Sequence, residues 1–375
     1  MRLLICAGGT GGGVYPALAV LQALNDLNHT REMADAVLWV GGENGMEGEI
    51  ISRLNIEYKS IPAAGLHGVG VKNLPGNLAK LFQGYLKAGR IIRDFKPDVL
   101  FYTGGYLAVP VAYAGRATPS LVFMPDIEPG LAIRTISNLV SRIALSVEGS
   151  RQYTPAGKEV IVSGYPVRSK MLSWTRDQAL KSLKLSPDLP ILLVFGGSKG
   201  ARSINQALEA ILPELLKEIQ VVHITGTLDW DGIKANRDRL PADLENNYRA
   251  YPFLHEEMGA ALRCADLVVS RSGASILGEY PMFELPAILV PYPHAWQYQK
   301  TNAKYLVDRD VAMMIRDEEL RDRLLPEVLS LIRDQERLDR MKSALKEMAK
   351  PGAAKTIAQE LIFLAGSKEE GGDQK

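Results

Sequence analysis

The stretch Pro190-Ile191-Leu192-Leu193-Val194-Phe195-Gly196-Gly197-Ser198-Lys199-Gly200-Ala201-Arg202-Ser203-Ile204-Asn205 decides the fold. A proline is followed by five apolar residues, the length and composition of a strand buried on both faces. Two glycines then let the backbone turn sharply, and a helical pattern follows. The chain opens on the same plan, with Leu3-Leu4-Ile5-Cys6, then Gly8-Gly9-Thr10-Gly11-Gly12-Gly13, then a helix predicted over Pro16–Leu27. Strand, glycine turn and helix in that order build a parallel sheet covered by helices.

The rhythm continues outward from both stretches. Strands are predicted at Val37–Val40, Val99–Tyr102, Ser120–Phe123, Arg142–Leu145 and Val160–Val162 in the first half, and at Val221–Ile224, Leu267–Val269 and Ala287–Val290 in the second. This likeness of plan predicts an α/β protein of two Rossmann-like lobes, with the boundary near Ser163–Pro166. The lobes are expected over residues 1–164 and 165–340. A helical segment over 341–365 is expected to pack back towards the first lobe. Residues 366–375 combine glycine with charge and are predicted to be a disordered tail.

Composition narrows the class. A chain of 375 residues is long for one hydrophobic core, and its 46% hydrophobic and 23% charged residues suit a globular protein. Lys+Arg at 44 against Asp+Glu at 43 leaves no charge excess of the kind that marks a nucleic-acid binder. The two cysteines, Cys6 and Cys264, lie far apart without metal-ligand spacing, and read as buried thiols of a reducing compartment. The first apolar run is too short for a signal peptide and reads as a strand. No stretch approaches the roughly 18–20 apolar residues of a membrane span.

Open α/β sheets bind ligands beyond the carboxyl ends of their strands, where glycines admit a ligand to the backbone and helix N-termini offer unpaired N–H groups. Three stretches qualify: Gly8–Gly13, Thr103-Gly104-Gly105-Tyr106, and Gly196–Asn205. A Gly-Gly pair after a strand also serves simply to pack a helix on a sheet, so the set matters more than any member. None is a P-loop, and no acidic residue follows the first turn at the distance a dinucleotide fold requires, which disfavours NAD.

A fourth stretch, Ser270-Arg271-Ser272-Gly273-Ala274-Ser275-Ile276-Leu277-Gly278-Glu279, follows another strand. Ser272 and Gly273 suit a helix start and place Glu279 about two turns in. A carboxylate there can accept hydrogen bonds from two adjacent hydroxyls, as a ribose diol offers them. A solvated helix glutamate is the plainer reading. The next strand end carries Pro291-Tyr292-Pro293-His294-Ala295-Trp296-Gln297-Tyr298-Gln299-Lys300-Thr301-Asn302-Ala303, dense in amides and aromatics.

Together, Gly-Gly-Thr-Gly-Gly at the start, Gly-Gly-Ser-Lys-Gly-Ala-Arg-Ser-Ile-Asn mid-chain, Ser-Arg-Ser-Gly-Ala-Ser late, and Pro-Tyr-Pro-His with the following Gln and Asn-Ala closely resemble the MurG family of peptidoglycan N-acetylglucosaminyltransferases. The resemblance spans roughly residues 1–365. It implies a GT-B architecture, two Rossmann-like lobes facing an interdomain cleft, with the donor on the C-terminal lobe and a lipid acceptor on the N-terminal lobe. The implied reaction is inverting transfer of GlcNAc from UDP-GlcNAc to the C4 hydroxyl of the muramyl sugar of lipid I, giving lipid II. No tightly bound cofactor or metal is implied. Carried over by position, Thr10, Gly11, Gly12, Gly13 and Tyr106 are substrate-binding. Ser198, Lys199, Gly200 and Arg168 face the donor phosphates, and Phe253 and Leu254 border the uracil. Glu279 holds the ribose and Gln299 the sugar hydroxyls, and Ser272, Gly273, Ala274, Ser275, His294 and Asn302 are substrate-binding positions of the same motifs. Arg168 also reads as an exposed hinge charge, and His294 equally as a structural histidine.

Two departures stand out. The family writes Gly-Gly-Thr-Gly-Gly-His, whereas the sixth position here is Gly13. The family also writes His-Glu-Gln-Asn after the strand over Ser120–Phe123, where this chain reads Met124-Pro125-Asp126-Ile127-Glu128-Pro129-Gly130. Deprotonation of the acceptor hydroxyl therefore needs another base. Asp126 is the first expectation and Glu128 the reserve, with loop or helix capping as the plainer reading of both. Catalysis mainly by positioning is the alternative.

The implied acceptor carries a polyprenyl chain, so the acceptor lobe is expected at the anionic cytoplasmic face of the cell membrane, as a peripheral protein. Leu74, Leu78, Leu81, Phe82, Tyr85 and Leu86 recur at helical spacing between Lys72, Lys80, Lys87, Arg90 and Arg93. A basic amphipathic helix suits such a surface, and equally packs on its own core. The resemblance also allows cell-wall synthesis proteins as partners, and nothing points to nucleic acid. Rival readings are a UDP-sugar transferase to another lipid of diacylglycerol type, a UDP-GlcNAc 2-epimerase, and a non-catalytic nucleotide-sugar sensor. Labelled UDP-GlcNAc supplied with and without lipid I separates them by product.

Overall fold

The computed structural model describes residues 1–8, 11–28, 36–43, 45–65, 74–197, 200–294 and 297–370. The chain divides into two compact units, Met1–Arg168 together with the segment from Pro351 onward, and Ser169–Lys350. Each is a helix-covered parallel sheet, so the protein is α/β with two Rossmann-like domains.

The first unit carries β1 (Arg2–Cys6), β2 (Ala36–Gly42), β3 (Glu57–Ile61), β4 (Val99–Tyr102), β5 (Ser120–Met124), β6 (Arg142–Leu145) and β7 (Glu159–Val162). They pair in the order β3-β2-β1-β4-β5-β6-β7, and every pairing is parallel. Leu3, Leu4, Ile5 and Cys6 are all fully buried, as a strand covered on both faces requires. The second unit carries β8 (Ile191–Phe195), β9 (Gln220–Ile224), β10 (Tyr248–Tyr251), β11 (Leu267–Ser270), β12 (Ala287–Leu289) and β13 (Ala312–Met314), in the parallel order β10-β9-β8-β11-β12-β13. Strand order reverses between β1 and β4 in one sheet and between β8 and β11 in the other. Those two gaps are where an open α/β sheet leaves a crevice for a ligand.

The structure departs from the sequence reading in several places. Strands β3, β10 and β13 were not expected. The helix predicted from Pro16 begins at Gly11 and runs to Asn28, with Pro16 tolerated inside it. The helix Gln335–Met348 belongs to the second unit, because Leu338, Met341 and Leu345 are buried there. The chain therefore returns to the first unit at Pro351, ten residues later than the predicted 341. The final helix, Ala353–Glu370, continues past the predicted start of the tail at 366, since Lys and Glu are good helix formers. It buries Ile357, Ala358 and Leu361 against the helix Gly11–Asn28 and strands β4 and β5. Arg142 ion-pairs with Glu360 and lies 4.4 Å over the Phe363 ring.

Cys6 and Cys264 are both buried free thiols. Burial pushes the Cys6 thiol well up, and burial pushes Cys264 up to about 12 against an opposing pull from Arg176. Neither is a reactive nucleophile.

Candidate functional site

In the first unit, the turns after β1 and β4 meet at the reversal of strand order. Thr103 Oγ1 donates to the Gly13 carbonyl at 2.7 Å. Gly105 has φ +85°, and a β-carbon there would lie 2.9 Å from the Gly8 carbonyl oxygen, so only glycine closes this contact. Gly11, Gly12 and Gly13 form the first turn of the helix Gly11–Asn28; a β-carbon at Gly13 would meet only ordinary contacts, 3.5 Å from the Gly8 oxygen and Thr103 Oγ1. Tyr106 is exposed beside them. Thr10 lies outside the described residues.

Beneath these turns sits Glu47, which sequence reasoning missed. It is fully buried in the helix Met46–Ser52, and its Oε1 accepts from the Gly42 N–H at 2.8 Å. A β-carbon at Gly8 would fall 2.3 Å from that oxygen. A lone glutamate in a polar loop carries no sign in the sequence that the fold will enclose it.

The Met124–Gly130 segment leaves β5 at the same end of the sheet. Asp126 is half-buried. Glu128 accepts from Arg134 at 3.0 Å, and the same guanidinium donates to the Pro129 carbonyl at 3.0 Å. Glu128 is therefore committed to bracing the start of the helix Leu131–Leu139, which weakens the case for it as a base. Arg168, expected at the donor phosphates, is the last residue of the first unit and stacks 4.3 Å over the Tyr15 ring.

In the second unit the turns after β8 and β11 flank the reversal. Gly200 has φ +79°, and a β-carbon there would fall 2.2 Å from the Thr225 carbonyl oxygen, so the turn is pressed against the end of β9. Ser198 and Lys199 lie outside the described residues. The helix Arg202–Leu215 begins directly after this turn and points its N-terminal N–H groups and positive dipole end out of the turn. Its first residues are pinned on both sides. Arg202 pairs with Asp229 at 3.1 Å. Asn205 donates from Nδ2 to the Thr225 carbonyl and to Asp229 Oδ2, both at 2.9 Å. That orientation turns Asn205 Oδ1 to His223 Nε2 at 3.0 Å, while His223 Nδ1 meets the Tyr248 hydroxyl at 2.8 Å. Nε2 therefore carries a proton. Burial holds its pKa down at about 3, against an opposing pull from Asp229.

The expected ribose segment also differs in detail. The helix starts at Ile276, not at Ser272 or Gly273, so Glu279 lies in its first turn. An ionised carboxylate is favoured there by the helix dipole. Gly273, Ala274 and Ser275 form the half-buried turn leading in. Ser272 and Asn302 are fully buried and bonded to the protein itself: Ser272 Oγ donates to the Gln299 carbonyl at 2.8 Å, and Asn302 Nδ2 donates to the Ser272 carbonyl at 3.3 Å. These bonds tie the turn after β11 to the helix Tyr298–Val307. Gln299 Oε1 accepts from the Tyr292 N–H at 2.9 Å, which directs its amide nitrogen elsewhere. Phe253 is half-buried and Leu254 buried just beyond β10. His294 is exposed and meets the Tyr292 ring edge-on at 5.5 Å.

Comparison with known proteins follows the same division. The glycosyltransferase family 28 N-terminal domain matches residues 3–144, and the family 28 C-terminal domain matches residues 191–357. A UDP-N-acetylglucosamine--N-acetylmuramyl-(pentapeptide) pyrophosphoryl-undecaprenol N-acetylglucosamine transferase of Roseiflexus sp. (strain RS-1) is 37% identical over 417 residues, covering 97% of this chain and 94% of that one. Among solved structures, Acinetobacter baumannii MurG superposes with a TM-score of 0.73 at 24% identity, over 96% of this chain and 98% of the other. A UDP-GlcNAc 2-epimerase from Neisseria meningitidis bound to UDP-GlcNAc superposes with a TM-score of 0.66 at 15% identity, over 97% and 100%. The two structures share the fold, so the fold does not choose between transfer and epimerisation; the near-full-length sequence identity does. By that identity and both domain matches, the chain belongs to the UDP-N-acetylglucosamine--N-acetylmuramyl-(pentapeptide) pyrophosphoryl-undecaprenol N-acetylglucosamine transferases, the MurG family.

Proposed function

We propose that this protein transfers GlcNAc from UDP-GlcNAc to the C4 hydroxyl of the muramyl sugar of lipid I, with inversion, forming lipid II for peptidoglycan synthesis. The observation that carries this reading is the 37% identity over 97% of the chain to a transferase of that name. With labelled UDP-GlcNAc, label is expected in lipid only when lipid I is supplied. A new UDP-sugar without lipid would point instead to epimerisation, and binding without turnover to a sensor.

The donor reading rests on the second unit. Gly200 and the N–H groups opening the helix Arg202–Leu215, with Ser198 carried over from the family motif, receive the diphosphate. Fixed donors and a helix dipole stabilise charge that develops on the leaving UDP without having to reorganise. Glu279, ionised in the first turn of its helix, accepts from the ribose hydroxyls; Phe253 and Leu254 supply an apolar border for the base. Gln299, its oxygen held by Tyr292 N–H, presents its amide nitrogen to the sugar.

On the first unit, Asp126 takes the proton of the acceptor hydroxyl as that oxygen attacks. It is half-buried just past the end of β5, in the loop whose other carboxylate, Glu128, is bonded to Arg134. The Gly8–Gly13 and Thr103–Tyr106 turns hold the acceptor. The helix Leu74–Phe95 rests on the cytoplasmic membrane surface and brings the acceptor lobe to its lipid. Gly84, Ala88, Ile91 and Phe95 are buried, while Leu78, Phe82, Tyr85 and Leu86 are exposed between Lys80, Lys87 and Arg90. The outward face is thus apolar and basic together, as an anionic interface requires. Among the described residues no helix is long and apolar enough to cross a membrane.

A further inference from the structure

One side chain ties together the ends of the second sheet without belonging to the proposed donor contacts. Arg271, just past β11, donates from one terminal nitrogen to the Val290 carbonyl at 3.2 Å, to the Pro291 carbonyl at 3.5 Å and to the Asp317 carboxylate. Its other terminal nitrogen donates to Ser203 Oγ at 2.8 Å. Ser203 in turn donates to Asp317 Oδ1 at 2.8 Å. The circuit is closed, because the single hydroxyl proton of Ser203 goes to Asp317 and its lone pair faces Arg271.

Four separate segments meet there: the ribose turn, the end of β12 leading to Tyr292, the first turn of the helix Arg202–Leu215, and the short turn Asp317–Glu319 after β13. The side chains of Arg271 and Asp317 are only 11% and 20% exposed. The guanidinium also lies 5.3 Å over the Tyr292 ring. The nitrogen aimed at Val290, Pro291 and Asp317 has more acceptors than protons, so it has no proton left for a ligand.

We propose that Arg271 is the positioning residue of the nucleotide face, locking the phosphate, ribose and sugar turns to one another before the donor arrives. This rests on the reading of that face as the UDP-sugar site. Two effects follow from its chemistry. The planar fork spans acceptors in different directions, which the single ammonium of lysine cannot reproduce. It also neutralises Asp317, so an incoming diphosphate does not meet a bare carboxylate beside the helix start. Without it, ordering the turns is left to the binding step, and affinity falls.

The test compares wild type, Arg271→Met, Arg271→Lys, Ser203→Ala and the double variant Arg271→Met/Ser203→Ala, by UDP calorimetry and by separate KM values for donor and acceptor. Arg271→Met is expected to weaken UDP binding and raise the donor KM by about tenfold or more, leaving the acceptor KM within about twofold. Arg271→Lys is expected to recover only part of this loss. Ser203→Ala, the mild variant that decides the matter if Arg271→Met does not fold, is expected to weaken UDP binding about threefold. The double variant is expected to be no worse than Arg271→Met, because both changes cut one circuit. A folded Arg271→Met with wild-type donor KM, an unchanged Ser203→Ala, full rescue by lysine, or strictly additive losses overturns the positioning role. Failure of the wild type to bind UDP overturns the donor-site reading beneath it.

Discussion

Asp126 and His223 are both polar residues at strand ends, and their surroundings assign them opposite work. Asp126 is half-buried on the first unit, and Asp126→Asn is expected to lower kcat by on the order of a hundredfold or more while leaving UDP affinity at the wild-type value. Near-normal turnover of that variant would remove Asp126 from the mechanism; Glu128→Gln, which only loosens the brace to Arg134, is expected to keep most activity. His223 is enclosed and neutral, with a pKa of about 3 in the folded protein against about 6.5 when exposed. Its folded pKa is depressed, so the stability it contributes is complete above about pH 6.5 and is lost as pH falls towards 3, where the unfolded chain takes up a proton that the native one refuses. The slope from this one residue is about 1.4 kcal/mol per pH unit. His223→Gln is expected to flatten the fall of Tm between pH 6.5 and 4, and an unchanged slope would refute the account. Of these residue-level facts the sequence disclosed little. Asn205, Ser203 and Arg271 stood inside quoted motifs, but the partners that explain them, His223 and Asp317, lie 18 and 114 positions from Asn205 and Ser203. The bonds from Ser272 to the Gln299 carbonyl and from Asn302 to the Ser272 carbonyl, which join two motifs 27 and 30 positions apart, were likewise invisible in the sequence.

Strands show where a one-dimensional pattern succeeds. Those at the centre of each sheet were legible because helices cover both faces, which demands unbroken apolar runs such as Leu3–Cys6 and Ile191–Phe195. The unexpected β3, β10 and β13 are all edge strands. Glu57-Tyr58-Lys59-Ser60-Ile61 and Tyr248-Arg249-Ala250-Tyr251 mix charge with aromatics because one side of each faces outward, and Ala312–Met314 is only three residues long. The helix Leu74–Phe95 presents the converse ambiguity. Its apolar stripe fitted either a core or a lipid face, and only the burial of Gly84, Ala88, Ile91 and Phe95 assigns the inward side, leaving Phe82 62% exposed. Wild type is expected to sediment with anionic vesicles and Leu81→Glu/Phe82→Glu to remain in the supernatant. Equal sedimentation of the two ends the membrane assignment of this helix.

At the level of the whole molecule, the doubled plan was readable because each half restarts with its own strand, glycine turn and helix. The return of the chain at Pro351 was predicted early, because the helices Gln335–Met348 and Ala353–Glu370 carry similar apolar spacing and nothing local says which sheet each covers. Ending the chain at Lys350 uncovers the surface that Ile357, Ala358, Leu361 and Leu364 bury, at a cost of about 2–3 kcal/mol for each large aliphatic side chain left without its cover. Such a truncation is expected to make the first unit protease-sensitive while the second keeps its resistance; a first unit that stays resistant would show the last helix to be dispensable.

The same discontinuity sets an order of assembly. During synthesis the opening 168 residues emerge first, yet their layer of helices stays incomplete until the chain from Pro351 has left the ribosome. The uninterrupted middle portion meets no such wait. The lobe that is begun first is therefore completed last, and a pause in translation between the two stretches leaves the first unit open at its helical seam while the second is already closed.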